Sequence, residues 1–360
     1  MDILEYLQHK EKRFEKRASR LRDLGVFDFN YVPERPVMRD ELKPVIDALL
    51  RYEKTGIANH LLIVGSRGCG KTLSVLHLQR LFERRGLNVL YANCRTYNTS
   101  YKILAYLLGV RARGTSFAEL AEQFAERYSD KSVVVLDEVD LLSEKDKKRD
   151  ILYFLSRSQR NYMAVMLSNS PKWETTLDAS TQSTMQPEVL YFRPYTPAEL
   201  GQILEQRAEL GVRHVPASVL KKIAALTVKY TNADTRVAIK TLYHWATEPE
   251  VGLEQNFQRA RRDIVVDVIR NLHDASLLIL KAAAGADRPV KEVYERYRQL
   301  CSRYQDQPYS YVYFYATLSF LQSLGLVLLI STKIRRAYTK VMQLTFPAEM
   351  IDTVWGLRFG

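Results

Sequence analysis

The stretch LLIVGSRGCGKTLS, residues 61–74, constrains the fold of this chain more strongly than any other part of the sequence. An apolar run of strand length stops at Gly65, three glycines fall within six residues, and a helical pattern begins after Lys71 and Thr72. This order matches the phosphate-loop pattern G-x-x-x-x-G-K-[ST], which joins a buried strand to a helix. Glycines let the backbone curl so that successive N–H groups point at phosphate oxygens. The sequence therefore predicts that a nucleotide phosphate binds at the start of this helix.

The predicted cradle comprises every residue of the loop, namely Gly65, Ser66, Arg67, Gly68, Cys69, Gly70, Lys71 and Thr72. We expect Lys71 to reach the β- and γ-phosphates and the Thr72 hydroxyl to bind Mg²⁺. A glycine-rich turn with a chance lysine is the alternative, and the strand and helix on either side of the loop argue against it.

A second motif, VVVLDEVD at residues 133–140, ends a buried apolar run with two carboxylates. We expect Asp137 to hold Mg²⁺ at the strand tip and Glu138 to orient and activate the attacking water. A further apolar run ends at Asn169, whose amide could hold the same water. On pattern alone Asn169 could equally start a turn, because Asn-Ser-Pro is a turn signal. For Asp140 the pattern supports only a cap of the next segment.

Apolar runs of strand length occur at residues 60–64, 88–94, 132–137 and 163–168. Because they are apolar on both faces, they are typical of a parallel sheet that helices cover on both sides. Helical spacing at 72–85 and 117–127 supplies such helices. Residues 1–195 are therefore predicted to form a doubly wound α/β domain with a basic N-terminal arm.

The next segment has helical patterns throughout. Thr196, Pro197 and Glu199 fit the cap, first-turn and capping-box positions of a helix. Residues 196–255 are therefore predicted to form a small all-α unit.

Residues 256–360 are predicted to form a third domain. Helices are expected at 272–284, 290–303 and 309–324, and strands at 326–330 and 341–346. The segment between the two strands carries basic residues and no acid, so a hairpin tip that contacts DNA phosphates is expected, with a solvated loop as the alternative. The candidate contacts are Lys333, Arg335, Arg336 and Lys340.

The helix predicted at 309–324 is the candidate recognition helix. Its expected buried stripe consists of Phe314, Leu318, Leu321 and Leu324. Four of its polar residues could face DNA, namely Tyr309, Ser310, Tyr313 and Thr317. The tyrosines alternate with period two, as in a strand, but the end signals Pro308 and Gly325 favour a helix.

The formal net charge is +12, which favours a polyanionic partner, either nucleic acid or an anionic membrane surface. The acid-free hairpin favours nucleic acid. No apolar stretch is long enough to cross a bilayer, and the N-terminus lacks the apolar core of a signal peptide. Three cysteines, far apart and odd in number, indicate reduced thiols. A cytoplasmic, nucleoid-associated protein with no membrane partner is expected.

The phosphate loop, the strand ending in Asp-Glu and the strand-tip Asn together resemble those of AAA+ ATPases. Four segments narrow the resemblance to archaeal replication initiators, the homologues of the origin recognition complex and its cell-division-cycle-six partner. These segments are NYVPERPVMRDELKPV (30–45), NCRTYNTSYKILAYLLGV (93–110), MQPEVLYFRPYTPAEL (185–200) and NADTRVAIKTL (232–242). The resemblance implies a P-loop AAA+ parallel-sheet domain, an all-α lid and a C-terminal winged-helix domain.

The resemblance also implies specific residues and partners. Its candidate adenine-side residues are Tyr31, Val32 and Arg39, and Arg236 would contact the phosphates from the lid. The inserted helix near 101–108, otherwise an ordinary sheet-covering helix, would bring Lys102 and Arg111 to DNA. The implied cofactors are ATP or ADP and Mg²⁺. The implied partners are double-stranded origin DNA, the replicative helicase and paralogous initiator subunits.

The implied activity is a weak Mg-dependent ATPase that acts as a switch during replication initiation. One departure concerns residues 177–187, which carry no basic residue after Asp178, where the family often has an arginine finger. No such finger is predicted here. Two alternatives stay open: a regulator of transcription or mobile-element DNA with the same architecture, and a motor or chaperone-like ATPase that acts on protein.

Overall fold

The computed structural model describes residues 2–7, 11, 20–111, 114–143, 146, 149–171, 173–248, 250–334 and 337–359. The chain divides into two compact units. The first, the α/β unit, is Val32–Pro194, and the second, the helix-rich unit, combines Met1–Tyr31 with Tyr195–Gly360.

The α/β unit is built on a five-stranded parallel sheet in the order β2-β3-β4-β1-β5. The strands are β1 (Leu61–Gly65), β2 (Asn88–Asn93), β3 (Ser132–Asp137), β4 (Met163–Ser168) and β5 (Glu188–Phe192). The prediction of a parallel sheet is confirmed. The sequence did not predict β5, an edge strand that pairs with β1 and in which Phe192 is the one buried residue.

Helices cover both faces of this sheet. They are α1 (Leu42–Thr55), α2 (Lys71–Glu83), α3 (Ser100–Leu108), α4 (Phe117–Arg127), α5 (Asp150–Arg157) and α6 (Ala179–Met185). Successive residues of β1 point to opposite faces, so Leu61 and Ile63 pack with α1 and α2. Leu62 and Val64 pack with α3, α4 and α5 on the other side. This alternation explains why the strand is apolar at every position.

The helix-rich unit begins with three helices, α7 (Pro197–Gly211), α8 (Ala217–Thr231) and α9 (Thr235–Thr247). Thr196 caps α7 and completes a capping box with Glu199, as the sequence predicted. The short turn Leu24–Phe27 joins this core through Val26 and Phe27.

The rest of the unit contains α10 (Leu253–Arg270), α11 (Asp274–Ala283), β6 (Arg288–Pro289), α12 (Val290–Arg303), α13 (Tyr311–Ser323), β7 (Val327–Ile334), β8 (Ala337–Leu344) and α14 (Glu349–Arg358). The three strands form an antiparallel sheet in the order β6-β8-β7. Phe314, Leu318, Leu321 and Leu324 are buried in its core, which confirms the predicted stripe. Helices packed on a small antiparallel sheet are the expected winged-helix arrangement.

Two expectations about this region were wrong in detail. The helix predicted from residue 309 begins at Tyr311, because the Ser310 hydroxyl caps it by accepting a hydrogen bond from the Tyr313 N–H. The strands predicted at 326–330 and 341–346 instead pair from Val327↔Leu344 to Ile334↔Ala337. Backbone ladder bonds do not require an apolar pattern, so polar residues predicted to form a hairpin tip belong to the strands. Among the described residues, no helix is both long and apolar enough to cross a membrane.

Candidate nucleotide site and DNA-facing surfaces

The phosphate loop is shaped by glycines at positions where a side chain does not fit. A Cβ on Gly65 would lie 2.6 Å from the Phe192 carbonyl oxygen and 2.8 Å from the Cys69 Sγ. Gly68 and Gly70 have φ angles of 73° and 87°, in the left-handed region that glycine tolerates. The loop can therefore pack against β5 while its backbone curls into the start of α2.

Lys71, the first residue of α2, is buried under this loop. Its Nζ donates to the carbonyl oxygens of Gly65 at 2.7 Å and Ser66 at 3.1 Å, and to the Asn169 Oδ1 at 3.0 Å. Burial lowers the pKa of Lys71, although the nearby Cys69 and Asp137 act in the opposite direction. Neutral acceptors hold this ammonium, and the anionic oxygens of a phosphate would be stronger acceptors.

Asp137 and Thr72 meet at the carboxyl end of β3. The Thr72 Oγ1 donates to the Asp137 Oδ2 at 2.8 Å, and the carboxylate is 2% exposed. The Tyr91 Oη donates to the same oxygen at 2.7 Å. A hydroxyl and a carboxylate oxygen in contact are ligand types that Mg²⁺ prefers. The two residues therefore fit the implied metal.

The sequence did not predict a role for Tyr91, because its only signal there was a polar group within an apolar strand. Tyr91 lies on β2, opposite Val135 of β3 in the sheet register. Its side chain contacts Asp137 because β2 and β3 are neighbours, which the sequence does not state. Burial and the Asp137 charge raise the pKa of Tyr91, so its hydroxyl keeps the proton that it donates.

Glu138 follows Asp137 in a left-handed conformation with a φ angle of 53°. Such a backbone costs a residue other than glycine on the order of 1 kcal/mol and is typical of functional sites. The Asn93 Nδ2 donates to the Glu138 Oε2 at 3.4 Å, and the Arg67 Nη2 lies 3.8 Å from the Glu138 Oε1. The carboxylate is thus held between the tip of β2 and the phosphate loop.

Two further groups complete this edge of the sheet. The Asn169 N–H donates to the Asp140 Oδ1 at 2.9 Å, just beyond the end of β4. The Ser66 Oγ is buried and has no hydrogen-bond partner among the described residues. A buried hydroxyl of this kind needs a partner, and a phosphate oxygen would supply one. The loop therefore fits a nucleotide phosphate on an observation independent of its motif.

The structure places Arg39, a candidate adenine-side residue, behind the phosphate loop. The guanidinium is 3% exposed and donates to the Cys69 carbonyl oxygen at 2.9 Å and to the Arg193 carbonyl oxygen at 2.8 Å. It also lies 3.3 Å from Glu41. Arg39 thereby braces the loop from behind. Val32 is half-buried at the start of the same unit.

Tyr31 and Arg236 belong to the helix-rich unit. The guanidinium of Arg207 lies 4.5 Å from the centre of the Tyr31 ring and donates to the Tyr31 carbonyl oxygen. Arg236 lies in the first turn of α9 and pairs with the cap residue Asp234.

An open groove of about 500 Å³ runs along α3 and includes both residues predicted to contact DNA there. Tyr97 and Tyr106 stack in it with their ring centres 4.0 Å apart. Lys102 and Arg111 are exposed at the groove, and the Lys102 Nζ contacts the Asn98 Oδ1 at 3.2 Å. The opposite side of α3 is buried against the sheet. The helix therefore covers the sheet and also presents aromatic and basic groups to solvent.

The hairpin of β7 and β8, called the wing from here on, carries exposed lysines in its strands. Lys333 lies in β7 and Lys340 in β8, where the Lys340 Nζ sits 5.1 Å from the centre of the Tyr315 ring of α13. Arg335 and Arg336 lie outside the described residues.

Of the predicted helix contacts, Tyr309 and Ser310 precede α13. Tyr309 is half-buried, and its ring packs edge-on against Tyr313 at 4.4 Å. Tyr313 is 39% exposed and Ser310 is exposed at the cap position. Tyr309 thus packs against Tyr313 and is also partly exposed beside Ser310.

Comparisons with known proteins agree with this architecture. A family model described as an AAA domain matches residues 56–176, and one described as the C-terminal winged-helix domain of CDC6 matches residues 267–354. The Aeropyrum pernix ORC1 protein, solved in complex with DNA, resembles this chain with a TM-score of 0.71 and 26% identity, over 94% of this chain and 97% of that one. The predicted AAA+ fold with a winged-helix domain is confirmed.

Several curated proteins similar to this chain are named ORC1-type DNA replication proteins. ORC1-type DNA replication protein 15 of Haloarcula marismortui is 28% identical, over 88% of this chain and 87% of that protein. ORC1-type DNA replication protein 1 of Sulfurisphaera tokodaii is 31% identical, over 80% of this chain and 80% of that protein. On this identity and coverage, the chain belongs to the family of ORC1-type DNA replication proteins.

Proposed function

We propose that this protein is an ATP-dependent, DNA-binding replication initiator that recognises origin DNA and helps to recruit or load the replicative helicase. The observation that carries the proposal is the meeting of Lys71, Thr72, Asp137, Glu138 and Asn169 at one sheet edge, in a chain that also has a CDC6-type winged-helix segment. The protein would act in the cytoplasm on the nucleoid, with paralogous initiator subunits as further partners.

The proposed nucleotide site uses Mg-ATP. Lys71 would exchange the carbonyl oxygens of Gly65 and Ser66 for β- and γ-phosphate oxygens, while the loop N–H groups bind the same anion. Bound Mg²⁺, held by Thr72 and Asp137, would neutralise charge on the phosphates. Tyr31, Val32 and Arg39 remain the proposed adenine-side residues, and Arg236 the proposed lid contact.

The proposed hydrolysis is slow and acts as a switch. Glu138 would accept a proton from the attacking water, and the Asn169 amide would orient that water. The segment after Asp178 contains no Arg or Lys through residue 187, so the chain offers no arginine there to a neighbouring subunit. An arginine finger contributes about 10³–10⁵ in rate where one acts, so turnover without that contribution is expected to be low.

DNA contacts are proposed in each unit by itself, at the wing and recognition helix of the helix-rich unit and at the groove along α3 of the α/β unit. Lys333 and Lys340 would contact phosphates from the wing, together with Arg335 and Arg336. Lys102 and Arg111 would do so beside α3. Tyr309, Ser310 and Tyr313 would lie at the recognition helix. The logarithm of the DNA affinity should fall with the logarithm of the salt concentration, with a slope of about −0.9 for each phosphate contact.

The experiment that tests the proposal is footprinting of the whole protein on sheared genomic DNA from its source organism, with and without Mg-ATP and at two salt concentrations. Protection of a repeated site near replication genes, changed by Mg-ATP, is the expected result. Lys71→Ala should bind ATP weakly and lose the nucleotide effect on the footprint.

The other outcomes point to different functions. A specific site away from replication genes would favour a regulator of transcription or mobile-element DNA. If a heparin or DNA column does not retain the protein at low salt, an ATPase that acts on protein would be favoured. Unchanged ATP affinity in Lys71→Ala would overturn the assignment of the phosphate cradle.

A further inference from the structure

Asp140 ties the end of β3 to the residue that follows β4. Its Oδ1 accepts two hydrogen bonds, from the Asn169 N–H at 2.9 Å and from the Ser168 hydroxyl at 3.1 Å. Asp140 lies in the short turn Val139–Leu141, directly after the Asp137 and Glu138 pair. One carboxylate oxygen therefore links the two strand tips that carry the proposed catalytic groups.

This link lies just beyond the last paired residues of β4. The recorded pairing of β4 with β3 ends at Leu136↔Met166, and its pairing with β1 ends at Val64↔Ser168. Asn169 is the first residue beyond both ladders. The N–H of Asn169 donates to Asp140 instead of to a neighbouring strand. The Asp140 carboxylate therefore helps to set the position of the Asn169 backbone, together with the hydrogen bonds between Ser168 and Ser170 on either side of it.

The side chain of Asn169 continues the connection toward the phosphate loop. Its Oδ1 accepts from the Lys71 Nζ at 3.0 Å. A movement of the Asn169 backbone would therefore move an amide that lies beside the ammonium proposed to contact the γ-phosphate. Within the described part of the chain, Asp140 makes no hydrogen bond to the loop, so its hydrogen bonds reach the loop only through Asn169.

We propose that Asp140 is a positioning residue that fixes Asn169 at the γ-phosphate and so sets the preference for ATP over ADP and the rate of turnover. This inference rests on the proposed nucleotide function. ADP lacks the γ-phosphate, so Asn169 should affect its affinity only through Lys71 and less than it affects the affinity for ATP. The predicted defect of an Asp140 variant is therefore selective for the triphosphate.

The second carboxylate oxygen of Asp140, Oδ2, can be replaced by an amide nitrogen without loss of the acceptor at Oδ1. The Oδ2 is buried and has no hydrogen-bond partner among the described residues. Asp140→Asn keeps an oxygen that can accept from Asn169 and Ser168, and it breaks no recorded bond of the Oδ2. Asp140→Ala removes the acceptor altogether. Asp130→Ala is a matched control, because Asp130 is exposed just before β3.

The test measures dissociation constants of the full-length variants for ADP and for a non-hydrolysable ATP analogue with Mg²⁺, followed by kcat and KM for ATP. In Asp140→Ala, kcat and the preference for the ATP analogue over ADP should fall about 10- to 100-fold, because small misplacements of a positioning group have effects of this size. ADP affinity should fall much less than the affinity for the ATP analogue. Asp130→Ala should behave as the wild type, and Asp140→Asn, which keeps the acceptor but loses the charge that favours the Lys71 ammonium, should be clearly less defective than Asp140→Ala.

Three results would overturn the inference. They are an unchanged nucleotide preference in Asp140→Ala, an equal loss of ADP and ATP affinity, and an Asp140→Asn variant as defective as Asp140→Ala. A wild type that binds nucleotide without hydrolysing it would refute the proposed turnover, while the binding preference would still decide the role of Asp140. A wild type that binds neither nucleotide would refute both proposals.

Discussion

Replacement of Arg39 by Met should destabilise the α/β unit and weaken nucleotide binding at the same time. Arg39 is a buried cation that no nearby pattern in the sequence marks as structural. Its guanidinium donates to the main chain at Cys69 in the phosphate loop and at Arg193 beyond β5. Methionine retains part of the apolar stem but supplies none of these donors.

The magnitude follows from the contacts that the substitution breaks. Arg39→Met leaves the Cys69 and Arg193 carbonyl oxygens without this donor and removes one cation from Glu41, which keeps its contact with Arg193 at 2.7 Å. The two lost hydrogen bonds come from a charged donor and are worth about 1.5–3 kcal/mol each, or about 3–6 kcal/mol together. For a unit of this length, such a loss lowers the unfolding midpoint by at least about 6 °C.

The pKa of Glu41 offers a second measure of the same cluster. Burial tends to raise the pKa of this carboxyl, but hydrogen bonds from Arg193 and its own backbone, with the Arg39 charge, lower it below the ordinary value. Removal of Arg39 should move this pKa upward. Stability supplied by a depressed carboxyl pKa is lost as the pH falls from the unfolded-state value through the folded-state value, so in the variant this loss should be smaller and should be complete at a higher pH.

The assay is urea unfolding followed by the fluorescence of Trp173, in a background in which Trp245 and Trp355 are replaced by Phe. Trp173 is the one tryptophan of the α/β unit. Arg35→Met is the matched control, because Arg35 is exposed and the charge change is identical. The free energy of unfolding should fall in Arg39→Met and not in Arg35→Met, with weaker ATP binding in the first variant alone. Equal stability of the two variants would refute the reasoning.

Three further predictions concern other residues. Glu138→Gln should keep ATP affinity and lower turnover about 10²- to 10⁴-fold, because it removes a general base; a wild-type rate would contradict its role. The double variant Lys333→Ala/Lys340→Ala should reduce the salt slope of DNA binding by about 1.8, or 0.9 for each phosphate contact, and an unchanged slope would remove the wing from the DNA surface. Burial lowers the pKa of His60, whose Nδ1 accepts from the Ala164 N–H at 3.1 Å. The unfolded chain therefore binds the proton more readily, so the free energy of unfolding should decline as the pH falls below about 6.5. His60→Asn should flatten that decline, whereas the exposed control His214→Asn should not.

The sequence by itself determined the elements and the chemistry of the phosphate loop. Apolar runs of strand length and helical spacing are local patterns, and four of the five strands in the α/β unit follow from them. The Thr196 cap and the stripe from Phe314 to Leu324 follow for the same reason. The loop motif predicts its ligand locally, because the glycines, Lys71 and Thr72 that bind a phosphate and its Mg²⁺ follow one another in the chain.

The tertiary structure alone decided which distant residues meet. Arg39 lies behind the loop, Tyr91 contacts Asp137, and Asp140 holds Asn169, although each pair is separated by 29 to 46 positions along the chain. These contacts depend on the strand order β2-β3-β4-β1-β5. Strand order is set by the packing of both apolar faces at once, which no single segment encodes. The wing strands extend through polar residues for a related reason, because their ladder bonds join backbone groups and are indifferent to side-chain pattern.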